Sequence, residues 1–260
     1  MSRNFELLQR LEVEERAHQG QPGARPVAET TAADLPHAQT TSLPPYSTSR
    51  VHLDPSTREE VLKLGHRLFV VGGAPRAVVF AGINQGDGSS WITARTAEAL
   101  ARHVSGLVCV VDGNLRCPVL HEEFGVANHH GLTDALLHAG PIKSFTQPLG
   151  GSNLSLLSCG SLSVPDKRVL NSNALRARLT ELRNEFDHIL IDAPPLRMYS
   201  DGAMLGHLAD GIVIVLQAHS THREAARRAA KDLASANVRV LGAVLNKRTF
   251  PIPDFLYSKL

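Results

Sequence analysis

Six short apolar runs punctuate this chain, at residues 77–82, 106–112, 154–158, 188–192, 211–216 and 238–245. Each is nearly continuous in hydrophobicity rather than alternating, which predicts strands buried on both faces. Between them the period changes to that of a helix. Leu175, Leu179, Leu182 and Phe186 recur at i, i+4, i+7 and i+11, and Ala225, Ala226, Ala229, Ala230 and Leu233 form a second stripe. Thr221 and Glu224 stand at capping-box spacing ahead of that second stripe. Strands alternating with helices of this length predict an α/β fold, a mainly parallel sheet with helices on both faces. Such sheets bind ligands at the carboxyl ends of their strands.

The first 50 residues follow another rule. Phe5, Leu8 and Leu11 lie at helical spacing and predict a short amphipathic helix over residues 2–18. Residues 19–50 carry Gly, Pro, Thr, Ser and Ala with few large apolar side chains. That composition buries too little surface to offset its ordering entropy, so a flexible linker is expected. The organisation is then an arm over 1–50, a domain over 51–250 and a tail over 251–260. A length of 260 residues suits one well-cored domain with tails.

Composition narrows the function classes. Lys and Arg (27) nearly balance Asp and Glu (25), a net charge of +2 that leaves no electrostatic footprint for nucleic acid. The 13 histidines are scattered without metal-ligand spacing. Cys109, Cys117 and Cys159 form no Cys-x-x-Cys pair, an odd count that fits a reducing cytoplasm. Cys109, inside an apolar run, reads as a small buried hydrophobe. With no apolar h-region at the start and no 18-residue apolar stretch, neither a signal peptide nor a membrane span is expected.

The chemistry gathers at three strand ends. After the first run comes Gly-Ile-Asn-Gln-Gly-Asp-Gly-Ser-Ser, residues 82–90. Gly86 and Gly88, flanking Asp87, allow a tight turn and close approach to phosphate oxygens ahead of a helix N-terminus. Read alone, this is as compatible with a plain strand-to-helix turn. The second run ends in Asp112, followed by Asn114 and Arg116, and the fourth ends in Asp192-Ala193-Pro194-Pro195. Each acid alone reads equally as a helix N-cap or a turn residue. Together, beside a phosphate loop, two carboxylates suit a magnesium shell of hard oxygen ligands. Arg116 offers a forked donor to phosphate.

In motif content and order the chain resembles the bacterial tyrosine kinases of capsular and exopolysaccharide pathways (BY-kinases, CpsD/CapB type). These are a branch of the deviant-Walker P-loop ATPases of the MinD/ParA type. The resemblance covers about residues 56–250. It rests on the glycine loop, on residues 112–125 (DGNLRCPVLHEEFG), and on 131–136 (GLTDAL). It also rests on Asp192-Ala193-Pro194-Pro195 with Ser200-Asp201, and on the strand ending in Asn246. The opening MSRNFELLQRLE is similar to proteins that accompany exosortase-linked polysaccharide clusters.

The resemblance implies a P-loop NTPase-like three-layer α/β/α fold that binds ATP or ADP with Mg²⁺. By it, the amides of Gly86, Asp87, Gly88, Ser89 and Ser90 wrap the phosphates and Asn246 contacts the base. Ser90, Asp112 and Asp192 hold the metal, directly or through water. Asp112 becomes the candidate general base toward a hydroxyl acceptor, with Arg116 steadying phosphate or acceptor. The implied partner is a membrane polysaccharide co-polymerase or chain-length regulator, with self-association as a second implied contact. The implied location is cytoplasmic, at the inner face of the plasma membrane when a partner recruits the chain.

Four departures temper that expectation. Ser89 stands where the family has the loop lysine, and Ile83 where a small residue opens the motif. The family's oligomerisation pattern Glu-x-x-Arg-x-x-Arg is matched only by Glu60-x-x-Lys63-x-x-His66. The tyrosine cluster is missing, with Tyr46, Tyr199 and Tyr257 the three tyrosines of the chain. A unit charge about 4 Å from a phosphate is worth roughly 4 kcal/mol at an effective dielectric near 20, about a thousandfold in rate if felt fully in the transition state. Arg95, on another face of the following helix, is a poor substitute. The sequence therefore predicts a degenerate kinase that regulates polysaccharide synthesis with weak or lost phosphotransfer. An active autokinase or ATPase using a substitute cation, and a scaffold that binds no nucleotide, are the alternatives.

Overall fold

The computed structural model describes residues 53–71, 73–160 and 172–248. The helix and linker expected over 1–50, Tyr46, and the 251–260 tail with Tyr257 lie outside those residues. Seven strands form one sheet: β1 (Ala77–Gly82), β2 (Val108–Asp112), β3 (Gln147–Pro148), β4 (Leu154–Leu157), β5 (His188–Ala193), β6 (Ile212–Gln217) and β7 (Val240–Asn246). Their order is β3-β4-β2-β5-β1-β6-β7, all parallel except the short β3. The six predicted runs all become strands. The second starts two residues late, because the Leu107 N–H is taken by the Asp187 carboxylate at 2.8 Å. β3 has no counterpart in the sequence reading, since a two-residue strand carries no periodicity.

Helices cover both faces. Against one lie α1 (Pro55–Phe69) and α2 (Ser89–His103), whose Phe69, Ile92 and Leu100 pack on Val78, Phe80, Val110 and Leu190. Against the other lie α5 (Ser172–Glu185), α6 (Asp201–Leu208) and α7 (Arg223–Ser235). There the predicted stripe Leu175, Leu179, Leu182 and Phe186 is buried with Leu205 and Leu233 on Val79, Cys109 and Ile189. The short helices α3 (Leu120–Phe124) and α4 (Leu132–Leu137) fill the connections after β2. The result is the three-layer α/β/α arrangement expected. Even numbering along β1 faces the α1–α2 side and odd numbering the other, as a period of two requires.

Local signals mostly hold. α1 starts at the Asp54 cap, whose side chain accepts from Thr57 N–H at 2.9 Å, with Pro55 in the first turn. The Thr221–Glu224 capping box does not form. Helix α7 starts with His222 at its N-cap and no side-chain cap. Thr221 Oγ1 instead accepts from Gln217 N–H at 3.0 Å, closing the turn after β6, so a local competitor wins its hydroxyl.

Candidate phosphate and magnesium site

The parallel sheet brings the carboxyl ends of β1, β2 and β5 together. Phe80 pairs in register with Asp192, and Asp192 with Asp112, so the loop after β1 rises directly beside two neighbouring acids. Gly86 and Gly88 both hold left-handed backbone, at φ +87° and +90°, as the turn demanded. Gly88 serves as the N-cap of α2 without any side-chain cap, leaving the helix N-terminus to whatever occupies the loop. Asp87 turns inward. Its carboxylate accepts from the N–H groups of Ile83 and Asn84, both at 2.9 Å, and so shapes the loop from within.

The acids are expensive where they sit. Asp112 is fully buried, and loss of water pushes its carboxyl up to about 7, against N–H donation from Leu120, Asn114 and Val119. Asp192 is also fully buried and is raised well above the usual carboxylate range, first by burial and then by the Asp112 charge. The hydroxyls of Ser90 and Ser89 and the Ala193 N–H oppose that rise. Ser90 Oγ donates to Asp192 Oδ2 at 2.5 Å, while Asp192 Oδ1 has no hydrogen-bond partner among the described residues. Ser89, at the lysine position, stands beside Ser90 at the start of α2.

These residues fit a magnesium ion. A hydroxyl, an orphaned buried carboxylate oxygen and a second carboxylate in register form half of an oxygen shell, which Mg²⁺ completes with waters and phosphate oxygens. A bound cation would also reverse the cost of the buried charges. Asp112 is the more committed of the two. Its Oδ2 accepts from Val119 and Leu120 N–H at 3.1 and 3.0 Å and its Oδ1 from Asn114 N–H at 3.2 Å. Both oxygens therefore also organise the turn into α3, which was the blander reading of this acid. Among the described residues no group of three His, Cys, Asp or Glu side chains could hold a metal, so a shell here must include the hydroxyl. Cys159 lies close by. Its thiol is pushed up to about 12 by burial and by the charges of Asp112 and Asp134, which keeps it protonated and unreactive.

The basic residues are placed less as expected. Arg116 Nε pairs with Asp201 at 3.1 Å and its guanidinium lies 4.9 Å from the Tyr199 ring centre, so it bridges the β2 and β5 loops. Arg95 is buried and paired with Glu98 at 3.1 Å and Glu123 at 3.3 Å, which removes it as a substitute cation. Asn246 does reach the loop. Its Nδ2 donates to the Asp87 carbonyl at 2.9 Å and its Oδ1 accepts from Lys247 N–H at 2.8 Å. Lys247, absent from the sequence reading, sends its Nζ to the Gly86 carbonyl at 2.7 Å. Its one sequence signal was adjacency to Asn246 at a strand end. A groove of about 940 Å³ opens beside Ile83 of the loop, between the start of α6 and α7, lined by Met198, Tyr199, His222 and Arg228. Glu60, Lys63 and His66 all lie exposed on the outer face of α1, with Lys63 pairing to Glu59 and Glu60.

Known proteins resemble the chain in sequence and in fold. Residues 76–238 match the family described as cellulose biosynthesis protein BcsQ. Tyrosine-protein kinase YwqD of Bacillus subtilis is 29% identical over 171 residues, covering 66% of this chain and 72% of YwqD. The solved chimerical protein CapA2B2 superposes with a TM-score of 0.68 at 22% identity, over 74% of this chain and 85% of its own. The septum site-determining protein MinD of Pyrococcus horikoshii, complexed with Mg-ADP, gives a TM-score of 0.56 at 21% identity, over 71% and 76%. The two structures share the fold. The chain belongs to the BcsQ family, with bacterial tyrosine kinases among its relatives and MinD-type P-loop ATPases among its structural neighbours.

Proposed function

We propose that this protein is a magnesium-dependent nucleotide-binding regulator of exopolysaccharide synthesis, built on a tyrosine-kinase-like domain whose phosphotransfer is weak or lost. The observation that carries this reading is the pairing of Ser90 and Asp192 beside Asp112 at the foot of a glycine loop whose lysine position is Ser89. The metal half of a nucleotide site is built, whereas the charge that the loop itself should supply is missing. ATP or ADP is the ligand implied by the kinase relatives and by the Mg-ADP complex of MinD.

In this site Ser90 Oγ and the free Asp192 oxygen would hold Mg²⁺, which supplies charge neutralisation between neighbouring phosphates. Gly86 and Gly88 leave room for phosphate against the loop backbone, and the open N-terminus of α2 favours anionic charge there. Asp112, with a carboxyl near neutrality, is placed to keep or take a proton beside the metal ligands. Arg116, engaged by Asp201 and Tyr199, positions the β2 and β5 loops relative to each other. Asn246, held by the Asp87 carbonyl and the Lys247 N–H, would offer its second amide N–H and its second oxygen lone pair to the base. The family name and the kinase relatives support a place in polysaccharide synthesis. Docking on a membrane co-polymerase would bring the chain to the inner face of the membrane, and among the described residues no helix is long and apolar enough to cross one.

Calorimetric titration of ATP and ADP, with and without magnesium, tests this reading. Native protein should bind in a magnesium-dependent way and carry no phosphotyrosine after incubation with ATP. Asp192→Asn should abolish the magnesium dependence, an effect of tenfold or more in affinity on the order of one lost metal ligand. Phosphotyrosine on the purified native protein would replace the regulator by an active kinase. Failure of both the native chain and Ser89→Lys to bind would leave a scaffold.

A further inference from the structure

We propose that Lys247, the residue after β7, supplies the cation of the phosphate site that Ser89 does not. This rests on the reading of residues 83–90 as a nucleotide-phosphate loop and assigns its missing charge to a distant part of the chain.

The placement is specific. Lys247 Nζ donates to the Gly86 carbonyl at 2.7 Å, and its Cε lies 4.0 Å from the point where a Cβ on Gly88 would stand. The ammonium is therefore beside both left-handed glycines of the loop. The backbone that aims it is unusual, because Lys247 holds φ +56°, a region lysine rarely adopts. Asn246 stabilises that turn from three sides. Its Oδ1 accepts from Lys247 N–H, its Nδ2 donates to Asp87 O, and its carbonyl accepts from Ala218 N–H at 2.9 Å. Strand β7 thus ends in a latch whose two side chains both land on the loop.

The charge is also available. Lys247 is exposed and has no acidic partner among the described residues. One carbonyl uses one of its three donors, which leaves two for phosphate oxygens. The two arginines that the sequence brought into question are spent: Arg95 on Glu98 and Glu123, Arg116 on Asp201. The need is plain as well. Ser89 leaves the loop without a cation of its own and Asp87 buries a carboxyl inside it, so a polyphosphate there needs positive charge from elsewhere in the chain. A lysine ammonium is a point charge on a flexible stem, so re-aiming from the Gly86 carbonyl to a phosphate takes only side-chain rotation.

The experiment is calorimetric titration of MgADP and MgATP into the full chain and four variants: Lys247→Gln, Lys247→Arg, Ser89→Lys, and Ser89→Lys with Lys247→Gln. Thermal melts without nucleotide check that each is folded, which an exposed Lys-to-Gln change should preserve. Native protein should bind, Lys247→Gln should lose roughly tenfold or more in affinity, and Lys247→Arg should stay within about threefold. Adding Ser89→Lys should restore binding to Lys247→Gln, because the charge then returns from the loop. Equal binding by native protein and Lys247→Gln overturns the proposal and leaves the loop reading standing. Binding by Ser89→Lys alone also overturns it, since Lys247 would then supply nothing. If neither native protein nor Ser89→Lys binds, the loop reading falls and the proposal with it.

Discussion

The centre and the edge of the sheet treat their polar strand ends in opposite ways. β2 and β5 are buried along their length, and Asp112 and Asp192 at their tips are fully buried. β7, at the edge, is largely exposed, with Leu245 56% accessible, and Asn246 at its end and Lys247 after it stay within reach of water. Both ends serve one loop. Burial at the centre holds the acids in fixed register and makes their charge costly, which suits a metal that must be gripped by oxygen atoms. Exposure at the edge leaves a cation solvated and mobile, which suits a group that must yield to an arriving phosphate. If the proposed site holds nucleotide, the lesson is that a missing charge is replaced by dividing the task between a rigid core and an adaptable rim.

The largest effect expected of this contrast lies in pH. Asp112 has a folded-state carboxyl raised to about 7 from an ordinary 3.8, so the folded state holds its proton more tightly than the unfolded chain. The resulting stability is fully present below pH 3.8 and is lost as pH rises through 7. Between pH 5 and 8 this single acid should remove about 2–3 kcal/mol, and Asp192, raised in the same direction, adds to the loss. Urea denaturation at both pH values measures it. A protein equally stable at pH 5 and pH 8 would break the claim that the centre carries costly charge. Asp112→Asn should flatten the profile.

Next in size is Gly88→Ala. A Cβ there would lie 2.2 Å from Asn246 Nδ2 on a backbone at φ +90°. The change should cost about 2 kcal/mol, half from the left-handed backbone and half from the displaced Asn246 bond to the Asp87 carbonyl. Combining it with Asn246→Ala in a double-mutant cycle sharpens the comparison. The pair should be clearly non-additive if the edge strand is latched to the loop, and additive if the latch is incidental.

The smallest effect belongs to Arg116. Its pair with Asp201 is partly exposed, so Arg116→Ala should lower stability by only about 0.5–1 kcal/mol, and less at high salt. Nucleotide affinity should change little, because the guanidinium is spent on positioning. A loss of binding as large as that of Lys247→Gln would return Arg116 to the phosphate site and weaken the case for the edge.

Much of this was legible in the sequence because it is written locally. Continuous apolar runs specify doubly buried strands whatever their neighbours, and the leucine stripe of α5 specifies one buried face. Glycines at 86 and 88 announce a left-handed turn, and acids at strand tips announce costly charge. What needed the fold was every relation between distant segments. Thr221 and Glu224 had the right spacing for a cap, yet the Gln217 N–H of the same turn took the threonine. Ser90 stands in the first turn of its helix, 102 residues before Asp192, and only the fold shows its hydroxyl donating to that acid. Lys247 lies 161 residues from Gly86, and no local pattern could join them. The sequence by itself determined six of the seven strands, where the glycine loop turns and which acids stand at its foot, since periodicity and steric freedom are properties of neighbours. Only the tertiary structure decided which cation reaches the loop. That depends on β7 pairing beside β6 and on a strained turn holding its last residues over the glycines, neither of which has a local cause.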